Sequence, residues 1–275
     1  MVPEASFTSY YGRPVIKEPV WEKPDVPAYL FLGGLAGASS VLAAGADLAG
    51  YRELARGAKV SALGAISMSA VFLVHDIGRP DRFLNMLRVF KPSSPMSVGS
   101  WLLAAYGPVA GAAAASDVTG LLPGAGRAAT IGAGALGPLI ATYTAALLCD
   151  TAVPAWHEGH REMPYVFAGS AASAAGGLGL LLNRPADAEP ARNLAVLGAV
   201  VELIAKRQLV GRLAAVPGAE SMRSGLAEPY ETGRTGTLLR VAEALTAGGL
   251  AGAVLGRRNR AVSALSGAAL VAASA

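Results

Sequence analysis

The sequence predicts an all-α integral membrane protein with about eight transmembrane helices, and three observations predict it. Of its 275 residues, 53% are hydrophobic and 15% charged, where a soluble domain carries roughly 25% charged residues. The mean hydropathy is +0.44. The apolar residues, chiefly Ala, Leu, Val and Gly, gather in long runs. A hydrocarbon core of ~30 Å needs about 20 residues of helix at ~1.5 Å per residue, and these runs are of that order.

The runs fall at 27–48, 58–76, 96–116, 129–152, 163–182, 191–209, 236–256 and 260–275. Asp25 and Pro27 open the first, Ser94 and Pro95 the third, and Pro164 the fifth, because proline suits the first turn, where its missing N–H costs nothing. Pro154 is expected to close the fourth run, and Asn183-Arg184-Pro185 the fifth. The last run is short: either a stunted helix or one that continues past Ala275. Residues 1–26 hold Pro3, Pro14, Pro19 and Pro24 with mixed charges and no apolar core. They read as an extended arm on the membrane surface or on a partner, not as a cleavable signal peptide. The domain plan is thus the arm at 1–26 and a helical membrane domain at 27–275.

The 34 glycines weaken a soluble helix but let membrane helices approach closely. The net charge of +4 resides in the polar connections, so it speaks of topology and not of nucleic acid. A single cysteine, Cys149, excludes an internal disulfide and a thiolate cluster for zinc or iron–sulfur. Histidine excludes haem. A haem between membrane helices usually takes two facing histidines, and His75, His157 and His160 lie at a helix end or in a loop. The same shortage argues against a buried metal centre.

Parity places the N-terminus and the loops 77–95, 153–163 and 210–235 on one face, called the N-side here. With their flanking helix ends, these segments carry about 14 of the 23 Lys and Arg, which by the positive-inside rule favours a cytoplasmic N-side. Ionisable groups in a bilayer cost roughly 2.5–3.5 kcal/mol each, so their placement is informative. Tyr29, His75, Asp76, Trp101, Tyr143, Asp150, Tyr165, Glu202, Lys206 and Glu243 gather in the N-side leaflet, while the other offers mainly Asp47 and Tyr51. This pattern points to a pocket on the N-side. Tyr143 lies too deep for an interfacial belt and is either a ligand's hydrogen-bond donor or a packed tyrosine bonded to a helix carbonyl. Trp101, Trp156 and Tyr165 suit belt anchors. Glu202 and Lys206 are spaced for an intrahelical ion pair, with a proton-handling role for Glu202 as the alternative. Asp150 either caps its helix or faces water, and Asp76 with Arg79 suits a turn pair.

Between the second and third runs, Asp81–Phe90 is amphipathic at helical spacing. Phe83, Met86, Leu87 and Phe90 form one face, and Arg82, Asn85 and Arg88 the other. Such a segment lies flat in the interface, either as a simple connection or as a docking ledge for a soluble subunit.

The stretch HDIGRPDRFLNMLRVFKPSSPMSVGSW at 75–101 closely resembles the NrfD/PsrC family, the membrane subunits of polysulfide reductase and related molybdoenzyme complexes. YTAALLCDTAVPAWHE at 143–158 is a second match in the right order, and YLFLGGLAGASS at 29–40 a weaker third. The resemblance implies two four-helix bundles without haem. It also implies a quinone, commonly menaquinone, bound near one membrane face, and an iron–sulfur ferredoxin-like subunit docked there that contacts a molybdopterin catalytic subunit. It places the quinone-contacting tyrosine of the fourth helix at Tyr143. Further contacts fall at the start of the first helix, on Tyr29, Gly33 and Gly34, where some members carry Asn and His; Trp156, in the second match, joins them. His75, Asp76 and Asp150 are the expected proton relays, and Arg79, Arg82, Arg88 and Phe90 the expected docking residues.

The expected function is therefore a quinone-binding subunit in the cell (inner) membrane, with no intrinsic iron–sulfur cluster. A formate dehydrogenase-type complex is favoured if the N-side is cytoplasmic. The alternatives are a polysulfide or sulfur-compound reductase subunit, a proton-translocating transporter-like module, and a passive anchor that has lost its quinone.

Overall fold

The computed structural model describes residues 24–77, 80–151, 153–216 and 225–275. Nearly all of the N-terminal arm, Arg79 and the side chain of Arg82 lie outside the described residues. Among those residues the chain is all-helical. The long helices are α1 (Asp25–Leu48), α2 (Arg52–Asp76), α3 (Pro95–Thr119), α4 (Pro123–Cys149), α6 (Met163–Leu182), α7 (Glu189–Ala214), α9 (Gly233–Leu255) and α10 (Arg260–Ser274). Two short ones, α5 (Pro154–Glu158) and α8 (Glu228–Glu231), sit in N-side connections. In lipid a helix satisfies its backbone groups internally, which is why apolar runs of this length take no other form.

Every predicted run is a helix, with some boundaries moved. The second helix begins at Arg52, the fourth at Pro123, and the sixth runs from Glu189 to Ala214, each reaching beyond its apolar run. Their added turns carry Arg52, Glu53, Arg56, Arg127, Glu189 and Arg212. Apolar counting stops where charge begins, but a helix continues into the headgroup region with its charged side chains in water. Pro154 does not close α4. That helix stops at Cys149, and Pro154 instead opens α5 at its first turn. Ser94 caps α3 as expected, its Oγ accepting from the Ser97 amide at 3.4 Å. Asn183 ends α6, its side-chain amide donating to the Gly179 carbonyl at 3.0 Å.

Among the described residues six helices, α1, α2, α3, α4, α6 and α9, are long and apolar enough to cross a membrane. Of the remaining two long ones, α7 is long but carries Glu202, Lys206, Arg207 and Arg212, and α10 has 15 residues. Packing follows the small residues. α1 meets α4 where Gly37 faces Gly137, and a Cβ on Gly37 would lie 2.4 Å from the Gly137 carbonyl oxygen. α6 meets α7 where Gly169 and Gly198 face each other, each with partner-helix backbone under 3 Å from a would-be Cβ. Only glycine allows these crossings. α1 and α4 pack against α2 and α3 on one side and against α6 on the other, while α6, α7, α9 and α10 pack among themselves.

The segment Pro80–Leu87 is a 3-10 helix rather than an α-helix. Its apolar face is nevertheless the predicted one: Phe83, Met86 and Leu87 close a cavity of about 310 Å³ against α2 and α3. Phe90, past the end of this turn, instead makes an edge-to-face contact with Trp101, with ring centroids 6.3 Å apart.

Candidate functional site

At the N-side ends of α1 to α4, four helix termini converge. Asp25 in the first turn of α1 is buried, and its Oδ2 lies 2.5 Å from Nδ1 of His75 in the last turn of α2. The His75 side chain is itself 73% exposed, so the pair reaches from the protein interior to the surface. Asp25 precedes Tyr29 by one helical turn and therefore shares its face. Tyr29 is 5% exposed, and its hydroxyl shares a hydrogen bond with the hydroxyl of Tyr143 on α4. The Tyr29 carbonyl in turn accepts from Ser69 Oγ of α2 at 3.0 Å. The Tyr143 ring lies over Gly99 of α3, whose missing side chain leaves it room: a Cβ there would fall 2.3 Å from Tyr143 Cε2.

Because α4 stops at Cys149, Tyr143 sits under two turns from the helix end, nearer the surface than a helix running to Pro154 would place it. The structure thus brings together Tyr29, Tyr143 and His75, and adds Asp25, which the sequence marked only as a helix opener. Gly33, one turn beyond Tyr29, faces the Ser69 hydroxyl on the same side of α1. Gly34 and Trp156 belong elsewhere. Gly34 faces Ala171 of α6, and Gly34 and Trp156 line two adjoining cavities on the neighbouring side of α1.

Asp76 ends α2 half-buried beside His75, and Asp150 is the exposed residue that follows α4. His157 Nδ1 lies 3.3 Å from the Cys149 carbonyl at the end of α4, and His160 Nδ1 lies 2.9 Å from the His157 carbonyl one turn before it, so both rings are tied to the connection between α4 and α6. Arg88 and Phe90 are exposed on the N-side connection. Glu202 and Lys206 form the expected i,i+4 pair at 2.6 Å. Tyr106, which the sequence gave no reason to single out, is fully buried and donates to the Ala36 carbonyl at 2.7 Å, with Ser40 Oγ at 2.8 Å.

A second polar cluster occupies the opposite face. Lys59 of α2, 6% exposed, bonds Asp117 of α3 at 3.0 Å and Asp47 of α1 at 3.5 Å. Arg56 and Arg127 stand 3.9 Å from Asp117 and Asp47, respectively. Sequence reasoning noted Asp47 alone. The available signal was that Lys59 begins an apolar run, where a charge needs a partner.

Residues 16–115 match the family model described as "Polysulphide reductase, NrfD". The match spans α1, α2, the Pro80–Leu87 segment and most of α3, and supports membership of the NrfD/PsrC family. The family is one of membrane subunits of polysulfide reductase-type oxidoreductase complexes. No curated protein matches the chain.

Proposed function

We propose that this chain is the quinone-binding membrane subunit of an iron–sulfur/molybdoenzyme oxidoreductase, with eight spans in two four-helix bundles. It passes electrons between menaquinone and a docked ferredoxin-like subunit that contacts a molybdopterin subunit. The observation that carries the reading is the Tyr29–Tyr143 hydroxyl pair at the N-side end of α1 and α4, one turn inside the Asp25–His75 pair. The residues fit a quinone. One hydroxyl of the pair donates to the other, which leaves one phenolic O–H as a neutral donor for a carbonyl oxygen, and the surrounding helices supply apolar walls.

Menaquinone, when bound, supplies two-electron, two-proton redox chemistry. Tyr29 and Tyr143 orient the headgroup by hydrogen bonding, and Ser69 and Gly99 fix the two tyrosines. His75, held by Asp25 and exposed on its other side, is placed to exchange protons with N-side water, and Asp76 and Asp150 stand at the same face. Arg88 and Phe90 on the exposed connection serve the docked iron–sulfur subunit, whose cluster must lie near the tyrosine pair. The positive-inside bias favours a cytoplasmic N-side in the cell membrane, and with it a formate dehydrogenase-type complex. An outward N-side would favour a polysulfide reductase-type complex instead.

The test is Tyr143→Phe in the assembled complex. Quinone-linked turnover should fall while dye-linked activity of the catalytic subunit stays intact, and unchanged quinone turnover would remove Tyr143 from the site.

A further inference from the structure

On the side of α1 away from the Tyr29–Tyr143 pair lie two adjoining cavities. One, about 440 Å³, is walled by Leu30, Leu148, Trp156, Val166, Val210 and Tyr230. The other, about 220 Å³, reaches Gly34 of α1, Ser170 of α6 and Glu202 of α7. Pro27, Leu30, Val166 and Lys206 line both, so the two are continuous along α1 and α7.

Glu202 is fully buried. Its Oε1 accepts from Lys206 at 2.6 Å, but Oε2 has no hydrogen-bond partner among the described residues. The Ser170 hydroxyl approaches the carboxylate from α6 but makes no well-formed hydrogen bond to Oε2, and Glu243 of α9 lies within electrostatic reach. The backbone cannot move to relieve the unpaired oxygen. The α6–α7 crossing is so tight that a Cβ on Gly169 would meet the Glu202 amide nitrogen at 2.6 Å. A buried acceptor oxygen left without a well-formed hydrogen bond, at the wall of a cavity, has room for a donor from a ligand.

We propose that this cavity is a second quinol site, in which Glu202 Oε2 accepts a hydrogen bond from a headgroup hydroxyl. The chemistry of the walls selects the ligand. Glu202 and Lys206 together are neutral, so a phosphate headgroup would set a second anion beside Glu202 with only an already bonded ammonium to balance it. An uncharged ring with a hydroxyl donor fits that end, and the aliphatic and aromatic walls fit a ring face and a polyprenyl tail. The proposal rests on the quinone reading for the identity of its ligand and uses none of the Tyr29–Tyr143 site's residues.

Photolabelling of the full chain in detergent with an azido-menaquinol tests it. Wild type should be labelled on α4 near Tyr143 and, separately, on α6 and α7 around Ser170 and Lys206. The double variant Glu202→Leu, Lys206→Met removes both charges together, which spares the fold the cost of one unpaired ion. Leu30→Trp fills the cavity without touching the pair. Each should cut α6–α7 labelling about tenfold, the effect of losing a charge-assisted hydrogen bond or the space for the ring, with α4 labelling retained. Persistence of α6–α7 labelling in either variant overturns the proposal. So does its absence from wild type, or its displacement by excess phosphatidylglycerol, which would make the cavity a phospholipid seat. Loss of α4 labelling alone from wild type would instead sink the Tyr29–Tyr143 site and leave this one standing.

Discussion

The hydroxyls of Tyr29 and Tyr143, 114 residues apart in sequence, share a hydrogen bond across the contact of α1 with α4. Each is the other's partner, so removing one leaves the second unpaired in a largely buried place, at a cost of about 1–3 kcal/mol. Removing both leaves no orphan. Tyr29→Phe and Tyr143→Phe should each lower stability in detergent by roughly 1 kcal/mol, and the double variant by no more than either single. Thermal unfolding of the four proteins measures the coupling. Strictly additive losses would show that the two hydroxyls act independently.

Two glycines should respond differently to alanine. At Gly99 the new methyl meets the ring of Tyr143, a side chain that can swing aside; at Gly37 it meets the Gly137 carbonyl oxygen, which belongs to the facing helix. Gly99→Ala should displace the Tyr143 ring, lowering quinone-linked turnover with little change in unfolding temperature. Gly37→Ala should destabilise by about 1–3 kcal/mol, because overpacking forces the helices apart. Equal unfolding temperatures for the two variants would contradict this account of the α1–α4 contact.

The exposed connection between α2 and α3 carries Leu84 and Val89, each 70% exposed, with Arg88 beside them and Phe90 against Trp101. Its inner face is already satisfied by the α2–α3 cavity, which leaves the outer face open to the iron–sulfur subunit proposed above. Arg88→Glu combined with Val89→Asp should sharply reduce recovery of that subunit with the tagged chain. The yield and unfolding temperature of the chain itself should hold. Raising salt should mimic part of the effect of Arg88→Glu, since exposed pairs are screened within ~8–10 Å at ordinary ionic strength. Full recovery of the partner would move the docking surface off this connection.

How much of this was legible in the sequence depends on the kind of pattern involved. Apolar runs give helices because lipid leaves the backbone no alternative, so all eight runs appear as helices; their charged ends were missed because hydropathy does not see a helix continuing into water. The face of Phe83, Met86 and Leu87 was legible from spacing, although the turn is 3-10. Tyr29 and Tyr143 could be placed on one membrane face by parity, but their contact could not. It depends on the α1–α4 crossing at Gly37 and Gly137, a long-range packing choice that no local period encodes. The same holds for the parting of Gly33 from Gly34: adjacent helical residues point about 100° apart, so only the packing decides which faces α2 and which α6.

Lys59 offers the sharpest electrostatic test, because its environment differs from that of its neighbours. Its side chain is 6% exposed and sits between Asp117 at 3.0 Å and Asp47 at 3.5 Å, near the face opposite the tyrosine pair. Arg56 and Arg127 approach the same carboxylates only to 3.9 Å, with side chains 51% and 62% exposed. Lys59→Met would leave two carboxylates facing each other without the ammonium between them, and breaking such a buried arrangement costs about 3–5 kcal/mol. Arg56→Ala and Arg127→Ala remove exposed pairs, worth roughly 0–1 kcal/mol. Unfolding temperatures in detergent should therefore rank Lys59→Met far below the two arginine variants. Adding Asp47→Asn and Asp117→Asn to Lys59→Met should recover much of the loss, because the facing charges are gone. If Lys59→Met proves as stable as Arg56→Ala, the cluster is hydrated from the cavity of about 440 Å³ that Asp47, Lys59, Asp117 and Arg127 line, and its ion pairs do not hold α1, α2 and α3 together.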